Sequence, residues 1–131
     1  MFNCVRADTI TRIKNGYSKK IEHIQLRYSG ETINFLSVLQ EEGYIKNFEV
    51  LEQDKKQAVA VTLRYAKNNK PALKQIKIVS KPGQRMYIKA EKIPIITNGF
   101  GCAILSTNQG VITSHRAKNL KIGGEIIAIV F

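Results

Sequence analysis

Apolar residues recur along this chain with two periods. Phe2, Ile10, Ile13 and Tyr17 fall on one side of a helical wheel. This spacing predicts a helix over residues 5–16, interrupted by Gly16 after Lys14 and Asn15. Ile24, Leu26 and Tyr28 then alternate with His23, Gln25 and Arg27, the period of a strand with His23 on its polar side. In TINFLSVLQEEG, residues 32–43, Ile33, Leu36 and Leu39 return to helical intervals, widened by Phe35 and Val38. Gly43 is placed to stop that helix. Residues 44–51 and 57–65 predict a hairpin around EQDKK, with Val59, Val61, Leu63 and Tyr65 pointing inward.

After AKNNKP, residues 72–79 read as a further strand with Ile76 and Ile78 on one face. SKPG at 80–83 suits a tight turn and is placed as a boundary between modules of residues 1–79 and 80–131. Beyond it, strands are expected at 84–89, 102–105 and 125–131, with NGFG (98–101) as a turn. A short helix is expected from Ser114 to Leu120, capped by Thr113 or Ser114. Gly123 and Gly124 turn the chain into EIIAIVF, a nearly unbroken apolar run that fits a central strand. The fold class is therefore α+β: an N-terminal α/β module with a small sheet and two helices, then a mainly β module with one short helix.

Charge adds a direction to this plan. The 131 residues carry a net +11, unevenly shared. Residues 1–65 hold ten basic and eight acidic side chains, whereas 66–131 hold eleven and two. A polyanionic partner is expected, mainly against the C-terminal half. No stretch approaches the roughly 20 apolar residues of a membrane span, and the start lacks a secretory apolar segment. Cys4 and Cys102 read as thiols in a reducing compartment, without the spacing of a disulfide scaffold or zinc site. Because Met1 leads almost at once into the first helix, synthesis is expected in the compartment of use.

The candidate chemistry is binding. Ser106, Thr107, Asn108, Gln109 and Gly110 form a polar loop beside an apolar strand, with short donors and a glycine that lets backbone come close. The same composition also makes an ordinary capped turn. Arg116, Lys118 and Lys121 follow closely enough to form a positive rim, or else a solvated helix surface. Lys81, Arg85 and Lys89 approach from the other strand pair. Arg85, Tyr87 and Lys89 share a face on which the aromatic could stack on a base or ribose, or else lie against the neighbouring module. Arg12, Lys14 and Asn15 make a smaller patch near the end of the first helix, or else a simple solvated face. Glu125, after Gly124, is one of two acids in a basic half. A carboxylate repels phosphate but can accept from a base amino group or fix a nearby Arg or Ser.

An enzyme has little to stand on. His23 and His115 lie far apart, no acidic pair has an acid–base arrangement, and NGFG and IGG lack the spacing of a phosphate cradle. No cofactor or metal is expected. The competing readings are a standalone RNA chaperone or translational regulator and, further off, a small RNA-processing enzyme.

As a set, ADTITRIKNG, LQEEGYIKNFEV, LRY, SKPGQRMY, IPIITNGFGCAILSTNQGVIT and GGEIIAIVF resemble the family-eight proteins of the small ribosomal subunit in their bacterial form. The resemblance runs through nearly the whole chain. It implies an N-terminal α/β module joined to a mainly β module that binds the central domain of small-subunit rRNA, with neighbouring ribosomal proteins as further partners. It also implies that a loop bearing Ser106 and Thr107 enters the minor-groove side of an irregular rRNA helix. Asn108 stands where the family often has serine, and Gln109 where it often has lysine. Glu125 falls on the family's acid after the glycine pair, and TRIKN carries a secondary RNA contact onto Arg12, Lys14 and Asn15.

The chain departs from the family where it reads VITSHRAK instead of roughly VMTDREAR. Ser114 and Arg116 stand at the acidic positions, His115 at an arginine position and Lys118 at the last arginine. The Asp-Pro opening is also absent before Ala7-Asp8. These departures suggest a divergent bacterial or organelle-encoded lineage, at work on a ribosome in the bacterial cytoplasm or in an organelle. Bacterial members also bind an mRNA operator that imitates the rRNA site, which makes autoregulation a further expectation.

Overall fold

The computed structural model describes residues 5–80, 83–92 and 101–131. The chain divides into two compact units at Lys74/Gln75. Lys81, Pro82 and most of NGFG lie outside the described residues, as does Cys4.

In the first unit, helix α1 (Val5–Ser18) is followed by β1 (His23–Arg27), α2 (Gly30–Glu41) and the hairpin β2 (Ile45–Gln53) and β3 (Lys56–Leu63). The sheet order is β1-β3-β2, antiparallel throughout. Helix α1 packs on β1 and α2 on β2. Ile10, Ile13 and Tyr17 from α1, Phe35, Leu36 and Leu39 from α2, and Leu26, Val59, Val61 and Leu63 from the strands are buried. Burial of this apolar set is the main stabilising term.

Four local features refine the sequence reading. Helix α1 does not stop at Gly16 but runs on to Ser18. Gly16 is there for close packing, since a Cβ at that position would meet Ile24 Cγ2 and Leu63 Cδ1, both at 2.9 Å. Ser29 caps α2 by accepting from the Thr32 amide at 3.0 Å. Tyr65 lies past the end of β3, in an isolated bridge with Pro71, and its hydroxyl donates to Ile21 O at 2.6 Å. The hairpin turn at Asp54 and Lys55 has φ of 49° and 65°, the paired positive values that match strand twist.

In the second unit, the elements are β4 (Ile76–Ile78), β5 (Tyr87–Ile88), β6 (Cys102–Thr107), β7 (Gly110–Thr113), α3 (Ser114–Leu120) and β8 (Gly124–Val130). The sheet order is β4-β8-β6-β7, with β5 also paired to β8. The apolar run of β8 is thus central: β6 lines one side, and β5 and β4 share the other. The strand expected over 72–79 is short, and it hydrogen-bonds to β8. The strand expected over 84–89 is reduced to Tyr87–Ile88.

Helix α3 begins as expected, with Thr113 Oγ1 accepting from the Arg116 amide at 3.2 Å. It packs through Ala117 on Ala103, Leu105 and Ile112, with Ile88, Ile122, Ile126 and Ile129 around them. Successive strand residues alternate faces, so Cys102, Ile104 and Ser106 lie on the side of β6 away from this cluster.

Candidate nucleic-acid interface

The polar stretch after the apolar part of β6 is not a five-residue loop. Ser106 and Thr107 are the last residues of β6, Gly110 opens β7, and only Asn108 and Gln109 form the turn. Polar side chains at a strand end read as loop in sequence, but here the ladder with Val111 and Gly110 continues through them.

Ser106 is the register partner of Glu125 on β8, and Glu125 is in turn the partner of Tyr87 on β5. Directly paired strand residues project from one face, so Tyr87, Glu125 and Ser106 form a row across the sheet. Tyr87 is 72% exposed. These three, with Thr107 and Asn108, line an open depression of about 450 Å³. Ile122, Gly123 and Gly124 complete its wall.

The two glycines are required by close approach. A Cβ on Gly124 would lie 2.4 Å from Ser106 O, and one on Gly123 would lie 2.3 Å from Ile88 O. The Gly-Gly pair therefore lets the entry of β8 lie against both neighbouring strands.

The hydroxyls divide the labour. Thr107 Oγ1 donates to Gly110 O at 2.8 Å and accepts from the Gln109 amide at 3.1 Å, which ties the turn to its own strand. The Ser106 hydroxyl has no hydrogen-bond partner among the described residues, and Asn108 and Gln109 are exposed. Glu125 accepts from Arg85 Nη1 at 3.0 Å, and its side chain is only 12% exposed. The acid thus fixes a nearby arginine, one of the roles open to it in sequence. The arginine neutralises a carboxylate that would otherwise repel a phosphate.

The remaining candidates are distributed more widely. Lys89 is exposed just beyond β5. Arg116 and Lys118 are exposed on α3, which packs on the opposite face of the sheet from the row. Lys121, exposed at φ 58°, leads straight into Ile122 on the wall of the depression. Lys81 lies outside the described residues. Arg12, Lys14 and Asn15 are exposed on α1 in the first unit, where Arg12 Nε donates to both carboxylate oxygens of Asp8, at 3.1 and 3.2 Å. That pairing offsets part of its charge. Ile122 and Gly123 also line the depression, and their position just before Gly124 and Glu125 is the sequence signal for them.

Among the described residues, no group of three or more His, Cys, Asp or Glu side chains is arranged to hold a metal ion. No described helix is long and apolar enough to cross a membrane. Cys102 is a buried thiol on β6.

Residues 5–131 match the family model described as ribosomal protein S8. The small ribosomal subunit protein uS8 of Pediococcus pentosaceus is 40% identical over 125 residues, 95% of either chain. That of Geobacter sulfurreducens is 38% identical over 125 residues, again 95% of either chain. The small ribosomal subunit protein uS8c of Cyanidium caldarium is 42% identical over 133 aligned positions that span both chains completely. Since the match runs through both units and the row on β5, β8 and β6, this chain belongs to the ribosomal protein S8 family and is a structural, rRNA-binding ribosomal protein, not an enzyme.

Proposed function

We propose that the chain binds the central domain of small-subunit rRNA through the depression between β5, β8 and β6, and stabilises the folded junction there during assembly. The observation that carries this reading is the row Tyr87–Glu125–Ser106, which sets an exposed aromatic, an arginine-neutralised acid and an uncommitted hydroxyl on one rigid strand platform. Tyr87 offers a face for a base or ribose, while Ser106 and Asn108 suit 2′-hydroxyls on the shallow minor-groove side of an RNA helix.

Lysines and arginines of the basic second half supply the sequence-independent attraction, through release of counterions from phosphates. Arg85, Lys89, Arg116, Lys118, Lys121 and Lys81 belong to this set, with Gln109, Gly110 and Gly124 shaping the approach. Arg12, Lys14 and Asn15 add a weaker contact from α1. Binding the compact form of the junction more tightly than its open form shifts the RNA toward the compact one. An mRNA element of similar shape would compete for the same depression, a route to autoregulation. The place of work is a ribosome in the bacterial cytoplasm or in an organelle.

Crosslink mapping on salt-washed small subunits tests the reading. Crosslinks from Tyr87 and residues 106–109 to central-domain rRNA are expected. Crosslinks that leave residues 106–125 untouched would overturn it.

A further inference from the structure

A second concavity lies wholly within the first unit, at the end of its sheet. It has a volume of about 650 Å³, and three cations line it: Lys20, Lys46 and Arg64. They come from three separate places in the chain. Lys20 follows α1 in the left-handed conformation, at φ 57°. Lys46 is the extra residue of a bulge in β2, where Ile45 pairs with Leu63 and Asn47 with Thr62. Arg64 immediately follows β3.

A bulge re-aims a side chain, and a left-handed lysine costs conformational energy, so two of the three cations stand at irregular backbone positions. All three are exposed, and none has a carboxylate partner among the described residues. Among the described residues, Glu22 is the sole acid in the lining. The rest of the polar lining is neutral: Thr62, Tyr65 and Asn69. The Tyr65 hydroxyl is held by Ile21 O and that of Thr62 lies 3.2 Å from His23 Nδ1, so both are fixed parts of the wall.

We propose that this concavity is a second RNA-backbone site, in which Lys20, Lys46 and Arg64 together hold phosphodiester groups of an RNA segment. The inference rests on the reading of the chain as rRNA-binding. Three cations with no carboxylate partner among the described residues concentrate positive potential at the mouth of this concavity, and low-dielectric walls focus that field. The guanidinium of Arg64 can pair with a phosphate in bidentate fashion, while the two ammonium groups act as point charges.

The test is equilibrium binding of the full chain to a central-domain junction fragment over a range of salt concentrations. The triple variant Lys20→Gln, Lys46→Gln, Arg64→Gln is compared with a control triple, Arg27→Gln, Lys55→Gln, Lys56→Gln, drawn from exposed positions in the same unit. The site triple is expected to weaken binding about tenfold or more and to lower the log–log salt slope by about 2, with preference for junction over plain duplex retained. Equal losses in the control triple would make the effect one of overall charge and overturn the site.

A site triple with wild-type affinity would overturn the inference alone, whereas a wild-type chain without preference for the junction would remove the functional reading beneath it. Thermal melts establish that the triple folds; if it does not, Lys20→Gln and Arg64→Gln singly should each lower the slope by about 1, and unchanged slopes would overturn the site. In a parallel NMR titration, the amides of residues 20, 46 and 64 should shift with RNA at concentrations far below those at which inorganic phosphate moves them. Equal response to phosphate alone would make this a free-anion site.

Discussion

Arg85 Nη1 lies 3.0 Å from Glu125 Oε2, and the arginine is half exposed while the carboxylate is nearly covered. The acid at the centre of the row therefore holds a cation at the edge of the depression. If Glu125 acted only as a negative charge near RNA, its removal would strengthen binding. The geometry predicts the reverse. Glu125→Gln should weaken binding of the rRNA junction about three- to tenfold, because Arg85 loses its anchor, corresponding to about 0.7 to 1.4 kcal/mol. Fluorescence anisotropy at fixed salt checks this, and tighter binding by the variant would contradict it.

Gly124→Ala should destabilise the chain by about 1 to 3 kcal/mol, since the new Cβ would press on Ser106 O, a backbone atom that cannot swing aside. Gly30 is the internal control. A Cβ there meets nothing within 4 Å at the start of α2, so Gly30→Ala should be neutral or stabilising by a few tenths of a kcal/mol. Urea unfolding midpoints measure both.

The hydroxyls of Ser106 and Thr107 should separate in their effects. Thr107→Val removes both turn hydrogen bonds and should cost about 1 kcal/mol of stability. Ser106→Ala should leave stability within about 0.5 kcal/mol, because its hydroxyl has no hydrogen-bond partner among the described residues. Its loss should appear in RNA affinity instead. Paired unfolding and binding curves distinguish the two, and a large stability loss in Ser106→Ala would contradict the assignment.

Stability should also fall at alkaline pH through Tyr17. Burial raises its phenol above the ordinary 10.0, against the smaller opposing effect of the Arg64 amide that donates to it. Its hydroxyl also donates to Tyr44 O. A raised folded-state value means that this contribution is complete below pH 10 and is lost as pH rises beyond it, where the unfolded chain ionises first. Tyr65, raised by the same cause, adds in the same direction. Unfolding midpoints should therefore drop as pH rises beyond about 10, and Tyr17→Phe should flatten the drop while costing about 1 to 2 kcal/mol at neutral pH.

Much of this architecture was legible in the residues. The unbroken apolar run EIIAIVF announced a central strand, and β8 is flanked on both sides. The helical spacing of Leu36 and Leu39 and the alternation through Val59, Val61 and Leu63 also matched their elements. What sequence concealed were features set by distant partners. Gly16 looks like a helix stop until Ile24 and Leu63 are seen to crowd it. Ser106 and Thr107 look like loop because polarity marks exposure, whereas strand pairing is decided by Val111 and Gly110 opposite them. The Arg85–Glu125 pair spans forty residues, and Lys20, Lys46 and Arg64 share a concavity only because a bulge and two element ends meet there.

A strand-borne row, and not net charge alone, is expected to recognise folded rRNA. The most direct measurement compares a central-domain junction fragment with a plain duplex of equal length, using wild-type chain and a Ser106→Ala, Asn108→Ala double variant of identical charge. The double variant should lose most of the preference for the junction while keeping the salt slope of the wild type. Retention of both affinity and preference would contradict the account.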